Sequence, residues 1–197
     1  MSDEILDADS IGPDVDLTAV SLPSDVGERL ATFYEREEHI SDAQEWVDVM
    51  TAAVREETGR APNEMDMCVA GGGPHSVAFT DETLSYVCVL DPLIAVFLRG
   101  EPGTIRSETP AGNEVVIDVS RDGVTATPAD AVLSVGVGDA DREPTFEAAY
   151  GELCAYTHAF ESTAAYERWD GRVDATTAQL SVSDGLALAR GLVSTFG

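Results

Sequence analysis

The chain has 197 residues, 44% of them hydrophobic, and 37 acidic side chains against 11 basic ones, for a formal net charge of −26. That length and apolar fraction fit one domain, or one domain with a small appendage, around a real core. The charge argues against binding nucleic acid through its phosphates. Every basic residue is Arg and none is Lys. An acidic surface without lysine fits a protein adapted to high salt, where screening shortens electrostatic repulsion to about 3 Å at 1 M.

Residues 1–22 carry acids and no base, and are expected to be a disordered or loosely attached tail. The opening MSDEILDADS has neither the basic region nor the apolar core of a secretory signal. No stretch approaches the roughly 18 apolar residues of a membrane span. Three cysteines, Cys68, Cys88 and Cys154, in no repeating pattern do not make a disulfide framework. A soluble cytoplasmic protein with reduced thiols is expected, with no membrane partner.

Residues 23–70 read as a helical N-terminal region. Leu30, Phe33 and Tyr34 form one face of a short helix. Ser41 and Gln44 have capping-box spacing ahead of a second helix, whose Trp46, Val47, Met50, Ala53 and Val54 share a face. Gly59 and Pro62 end it. This pair either packs on the main domain or forms a reduced winged-helix-like unit. A Met-rich link follows, in which Cys68 reads as a packing residue. Gly71-Gly72-Gly73-Pro74 lacks the spacing and the lysine of a phosphate loop, and reads as a flexible turn.

Residues 75–80 and 84–89 suggest a hairpin. Pro92 is suited to the start of a helix, which makes Asp91 the expected N-cap of a buried helix over 93–98. Cys88 and Asp91 then meet at a strand-to-helix junction, whose backbone N–H groups favour the ionised form of each. From 103 to 136 the period changes to two, with short segments parted by Pro, Gly and Asp, which predicts an antiparallel meander. Val115, Ile117 and Val119 mark its buried face. The stretch 153–160, holding Cys154, fits strand or helix equally. Ser162 or Thr163 caps a helix through Tyr166 and Trp169; 178–183 is a last strand, and Ser183 caps a final helix. The sum is an α+β fold: a small, mostly antiparallel sheet with flanking helices, after a short helical N-terminal region.

Three stretches together resemble the organomercurial (alkylmercury) lyase family. The first is Pro74-His75, then a hairpin into Leu84-Ser-Tyr-Val-Cys88-Val-Leu-Asp91-Pro-Leu. The second is Leu153-Cys154-Ala-Tyr-Thr-His158-Ala-Phe160. The third is Ala165-Tyr-Glu-Arg-Trp169, then Leu180-Ser-Val-Ser and a terminal helix. The likeness runs from about His75 to the C-terminus, which makes 71–197 the lyase-like catalytic domain. A structural cysteine that the family often carries after the first helix is missing from Ile105-Arg-Ser-Glu-Thr109. The resemblance implies Cys88 and Cys154 as catalytic thiols and Asp91 as the catalytic carboxylate, all three holding the mercury of substrate or product. It implies no required cofactor, Hg(II) bound as product, and small thiols or a mercuric reductase as its acceptor. His75 and His158 are expected to be structural, each with a hydrogen-bond partner.

The chemistry agrees with these residue types. Thiolates suit a soft metal, and a carboxyl group beside it can hand a proton to the departing carbon. Two other readings stand: a non-catalytic thiolate site for Hg, Cu or Zn, and a metal-sensing regulator that binds DNA through 24–59. In that segment Arg29, Arg36, Arg55 and Arg60 are outnumbered by acids.

Overall fold

The computed structural model describes residues 16–141 and 145–197. The fold is α+β, with two antiparallel sheets where the sequence suggested one. The helices α1 (Ser24–Phe33) and α2 (Ala43–Thr58) come first. A five-stranded sheet follows, in the order β2-β1-β3-β4-β5, from β1 (His75–Ala78), β2 (Thr83–Tyr86), β3 (Gly103–Glu108), β4 (Glu114–Ser120) and β5 (Gly123–Thr127). The smaller sheet has the order β7-β6-β8, from β6 (Val132–Val137), β7 (Ala159–Phe160) and β8 (Thr176–Ser181). The other helices are α3 (Leu90–Arg99), α4 (Phe146–Glu152), α5 (Thr163–Asp170) and α6 (Val182–Ser194).

The expected meander holds for β3, β4 and β5, and Val115, Ile117 and Val119 are buried as their alternation requires. The segment after them leaves for the second sheet. Its run, Val-Leu-Ser-Val-Gly-Val, is buried at every position, the mark of a central strand covered on both faces rather than one half-exposed. Helix α3 is buried along nearly its whole length and packs on α6 and on β1, β2 and β3. Helix α6 in turn meets β5, β6 and β8, so the two helices tie the sheets into one core.

Most of the expected tail, 1–15, lies outside the described residues. The remainder, 16–22, is not loose. Leu17, Val20 and Leu22 are buried, and the short turn Leu17–Ala19 packs on α2 and α6. Three apolar side chains offset the local charge. The N-terminal helices also belong to the core: α1 lies on β6 and β8, and α2 on α6. Arg29 donates to the Gly138 carbonyl, and Arg60 pairs with Asp66.

The caps differ from the sequence reading by a residue or two. Asp42, not Ser41, caps α2 by accepting from the Glu45 N–H at 2.9 Å, while the Glu45 carboxylate accepts from the Ser41 N–H. Ser162 caps α5 as expected. Ser181 rather than Ser183 caps α6, because β8 ends two residues earlier than expected. Gly59 closes α2 at φ 71°, in the left-handed region that glycine adopts without strain.

Candidate functional site

Three chain segments converge beside the start of α3. The first contains Cys88, in the turn between β2 and α3. The second holds Cys154, in a short 3-10 turn, Cys154–Tyr156, after α4. The Val89 N–H donates to the Thr157 carbonyl at 3.1 Å, which joins these two segments directly. Ser134 on β6 fixes the second: its hydroxyl donates to the Tyr156 carbonyl at 2.7 Å and accepts from the His158 N–H at 3.0 Å.

The third segment is the Met-rich link. Its capping box, Asn63 with Asp66, starts a short turn over Glu64–Asp66. Val69 then forms an antiparallel bridge with Tyr86. The Val87 N–H donates to the Cys68 carbonyl and the Ala70 N–H to the Ser85 carbonyl, both at 3.0 Å. Gly73 allows this close return, since a Cβ there would stand 2.2 Å from the Tyr86 carbonyl oxygen. The glycine run is thus a tight packing point as well as a turn.

Cys68, expected as a packing residue, is buried but lines the same cavity as Cys88, Asp91 and Cys154. Its Sγ lies 3.1 Å from the Cys154 Sγ. Its backbone N–H donates to Asp91 Oδ2 at 2.9 Å. Asp91 is also not the N-cap: α3 begins at Leu90, Val89 occupies the cap position, and the Asp91 side chain is turned inward to Cys68. Cys68, Cys88 and Asp91 are buried, and Cys154 is partly exposed.

Burial dominates at Asp91. It pushes the Asp91 carboxyl up from 3.8 to about 6, against the Cys68 N–H and the Cys88 and Cys68 thiols, which favour the charged form. At Cys88 the hydrogen bond with Cys154 favours the thiolate, but burial and the charge of Asp91 outweigh it and raise the pKa above the ordinary 9.0. Cys154 is raised well above that value by its hydrogen bonds with Cys68 and Cys88 and by burial. The expectation that the helix N-terminus holds both Cys88 and Asp91 ionised is overturned, because desolvation exceeds the local N–H groups. At neutral pH the Cys88 and Cys154 thiols keep their protons, and Asp91 is within reach of taking one.

The four groups line a cavity of about 150 Å³, whose other walls include Trp46, Met50 and Leu153. It can take a soft metal at the sulfurs and an apolar substituent against the hydrocarbon. Among the described residues, no three His, Cys, Asp or Glu side chains stand spaced to hold a metal ion.

The histidines lie farther along. His75 on β1 is fully buried, and neither ring nitrogen has a hydrogen-bond partner among the described residues, contrary to expectation. Burial, then the nearby His158, drive its pKa from 6.5 to about 3, so it is neutral. His158 does have a partner, with Nε2 2.8 Å from the Ala155 carbonyl, and its ring meets Trp169 edge-on.

A family model described as MerB, alkylmercury lyase, matches residues 71–194. No curated protein matches the chain. Among solved structures, the crystal structure of the mercury-bound form of MerB2 is similar. It has 14% identity and a TM-score of 0.52, over 86% of this chain and 100% of that one. At that identity the likeness concerns the fold.

Proposed function

The chain belongs to the alkylmercury lyase family, and from that premise we propose that it breaks carbon–mercury bonds by protonolysis, with Cys88, Cys154 and Asp91 as its reacting groups. The observation that carries the reading is a carboxyl group with a raised pKa of about 6, placed among thiols in a cavity with apolar walls. A metal store needs sulfurs alone; a lyase also needs a proton carrier and room for an organic group.

Cys154, the partly exposed thiol, meets R–Hg–X first. Its sulfur replaces X, and its proton leaves with X. Cys88 adds next and passes its proton to the Asp91 carboxylate. Two thiolates load electron density onto mercury and weaken its bond to carbon. Asp91 then protonates that carbon while the electron pair of the C–Hg bond goes to it. The products are R–H, Hg(II) held by two thiolates, and an ionised Asp91. Every atom and charge balances without a resident cofactor. Small thiols or a mercuric reductase take the Hg(II) away. The acidic, lysine-free composition supports a protein that works in concentrated salt.

The test is incubation with a phenylmercury salt and a small thiol in molar potassium chloride. Benzene formed in proportion to enzyme supports the reading. Stoichiometric mercury uptake with no benzene would leave a thiolate binding protein in its place.

A further inference from the structure

Cys68 has no role in the reaction just described, yet its sulfur touches the Cys154 sulfur at 3.1 Å. Its backbone N–H donates to the Asp91 carboxylate at 2.9 Å. The pairing of 68–70 with 85–87 fixes its backbone beside the cavity that its side chain lines. A packing cysteine requires none of these contacts. We infer that Cys68 is a third sulfur ligand for the product, converting the two-thiolate Hg(II) left by cleavage into a three-thiolate complex. This inference rests on the proposed lyase reading, since it is cleavage that opens the position it fills.

The timing follows from the bonds. While carbon is attached, mercury already holds carbon and two sulfurs. Protonolysis removes carbon and leaves Asp91 ionised. The Cys68 S–H bond then breaks, its proton passes to the Asp91 carboxylate, and a sulfur lone pair forms the new S–Hg bond. No electrons are transferred to or from an outside reagent. The step leaves [Hg(S-Cys)₃]⁻ and a neutral Asp91, so the new anion forms beside a carboxyl group that has just lost its charge. The contact between Cys68 and Cys154 means that metal entry must part the two sulfurs, which accords with the absence of a ready-made metal cage among the described residues. The third bond holds Hg(II) until an incoming thiol replaces the ligands in turn.

The experiment loads the reduced full chain with one equivalent of mercuric chloride, which bypasses cleavage. Sulfur coordination is read by X-ray absorption and by the ultraviolet thiolate-to-mercury bands, then the rate of transfer to a small dithiol is measured. Three sulfurs are expected in the wild type and two in Cys68→Ala and Cys68→Ser. Transfer should be at least about tenfold faster in both variants, because even groups outside the ligand shell are worth 10–100-fold in metal affinity. Two sulfurs in the wild type would overturn the inference without reference to any variant, and so would variants that keep the wild-type spectrum. Benzene release from phenylmercury, assayed separately, reports on the lyase reading. Turnover with a two-sulfur product refutes the third ligand alone, whereas three sulfurs without turnover refute the lyase reading alone.

Discussion

Replacing Asp91 with Asn removes a buried charge while keeping a side-chain oxygen able to accept the Cys68 N–H. The wild-type carboxyl titrates at about 6 in the fold against an ordinary 3.8. A raised pKa means that the fold prefers the neutral acid. Its stabilising share is fully present below about 3.8 and is lost as the pH rises through about 6. At 1.36 kcal/mol per pH unit, the loss amounts to about 3 kcal/mol. Asp91→Asn does not titrate, so its stability relative to wild type should grow by about that amount between pH 3.5 and pH 7. Urea unfolding of both proteins in molar potassium chloride, at several pH values, measures the difference and cancels the titration of the other acids. The same variant should bind Hg(II) yet lose cleavage by at least ~10²-fold, the lower scale for removing a general acid. A stability difference that stays flat across that range would refute the buried-carboxyl account. Cleavage at the wild-type rate would reduce Asp91 to a structural acceptor for Cys68.

Other outcomes follow from the same geometry. Cys88→Ser and Cys154→Ser should each abolish hydrocarbon release, since a hydroxyl is a poor ligand for a soft metal; release by either variant at the wild-type rate contradicts the assignment. His75 is held neutral with its pKa near 3 instead of 6.5. Its share of stability is present above pH 6.5 and falls away towards pH 3, by up to about 5 kcal/mol. His75→Leu should therefore shift the acid-unfolding midpoint downwards, and an unmoved midpoint would contradict a buried neutral ring. Thermal melts in potassium chloride should rise steeply from about 0.1 M to 3 M, as screening relieves the repulsion of a −26 chain. An unchanged midpoint would separate the composition from salt adaptation.

Much of the fold was legible because hydrophobic period and punctuation agree locally. The alternation through Val115, Ile117 and Val119 and the end of α2 at Gly59 both stand in the structure. The role of β6 was missed by treating it as one more strand of a meander, although its unbroken apolar run carries the signal of two-sided burial. Cys88, Asp91 and Cys154 were singled out through motif likeness, and the structure places all three on the wall of one cavity. Local rules misjudged Asp91, because Asp before Pro is a good cap. What turns it inward is a hydrogen bond from Cys68, 23 positions earlier. Cys68 itself was hidden for the same reason. Its place depends on the return of 68–70 along 85–87, and on Gly73 admitting that approach. An apolar Met-Cys-Val run just before a glycine turn and a strand was the available sign of such a return.

In the proposed reaction, proton delivery from within the site to the mercury-bound carbon is the step on which everything else depends. Turnover of methylmercury in D₂O, with a small thiol to clear the metal, follows that proton directly. The exchangeable thiol and carboxyl protons become deuterons before reaction, so the gas released should be monodeuterated methane, in amounts matching the Hg(II) collected by the thiol. Mercury bound in full with no methane, or methane without deuterium, would contradict protonolysis at Cys88, Cys154 and Asp91.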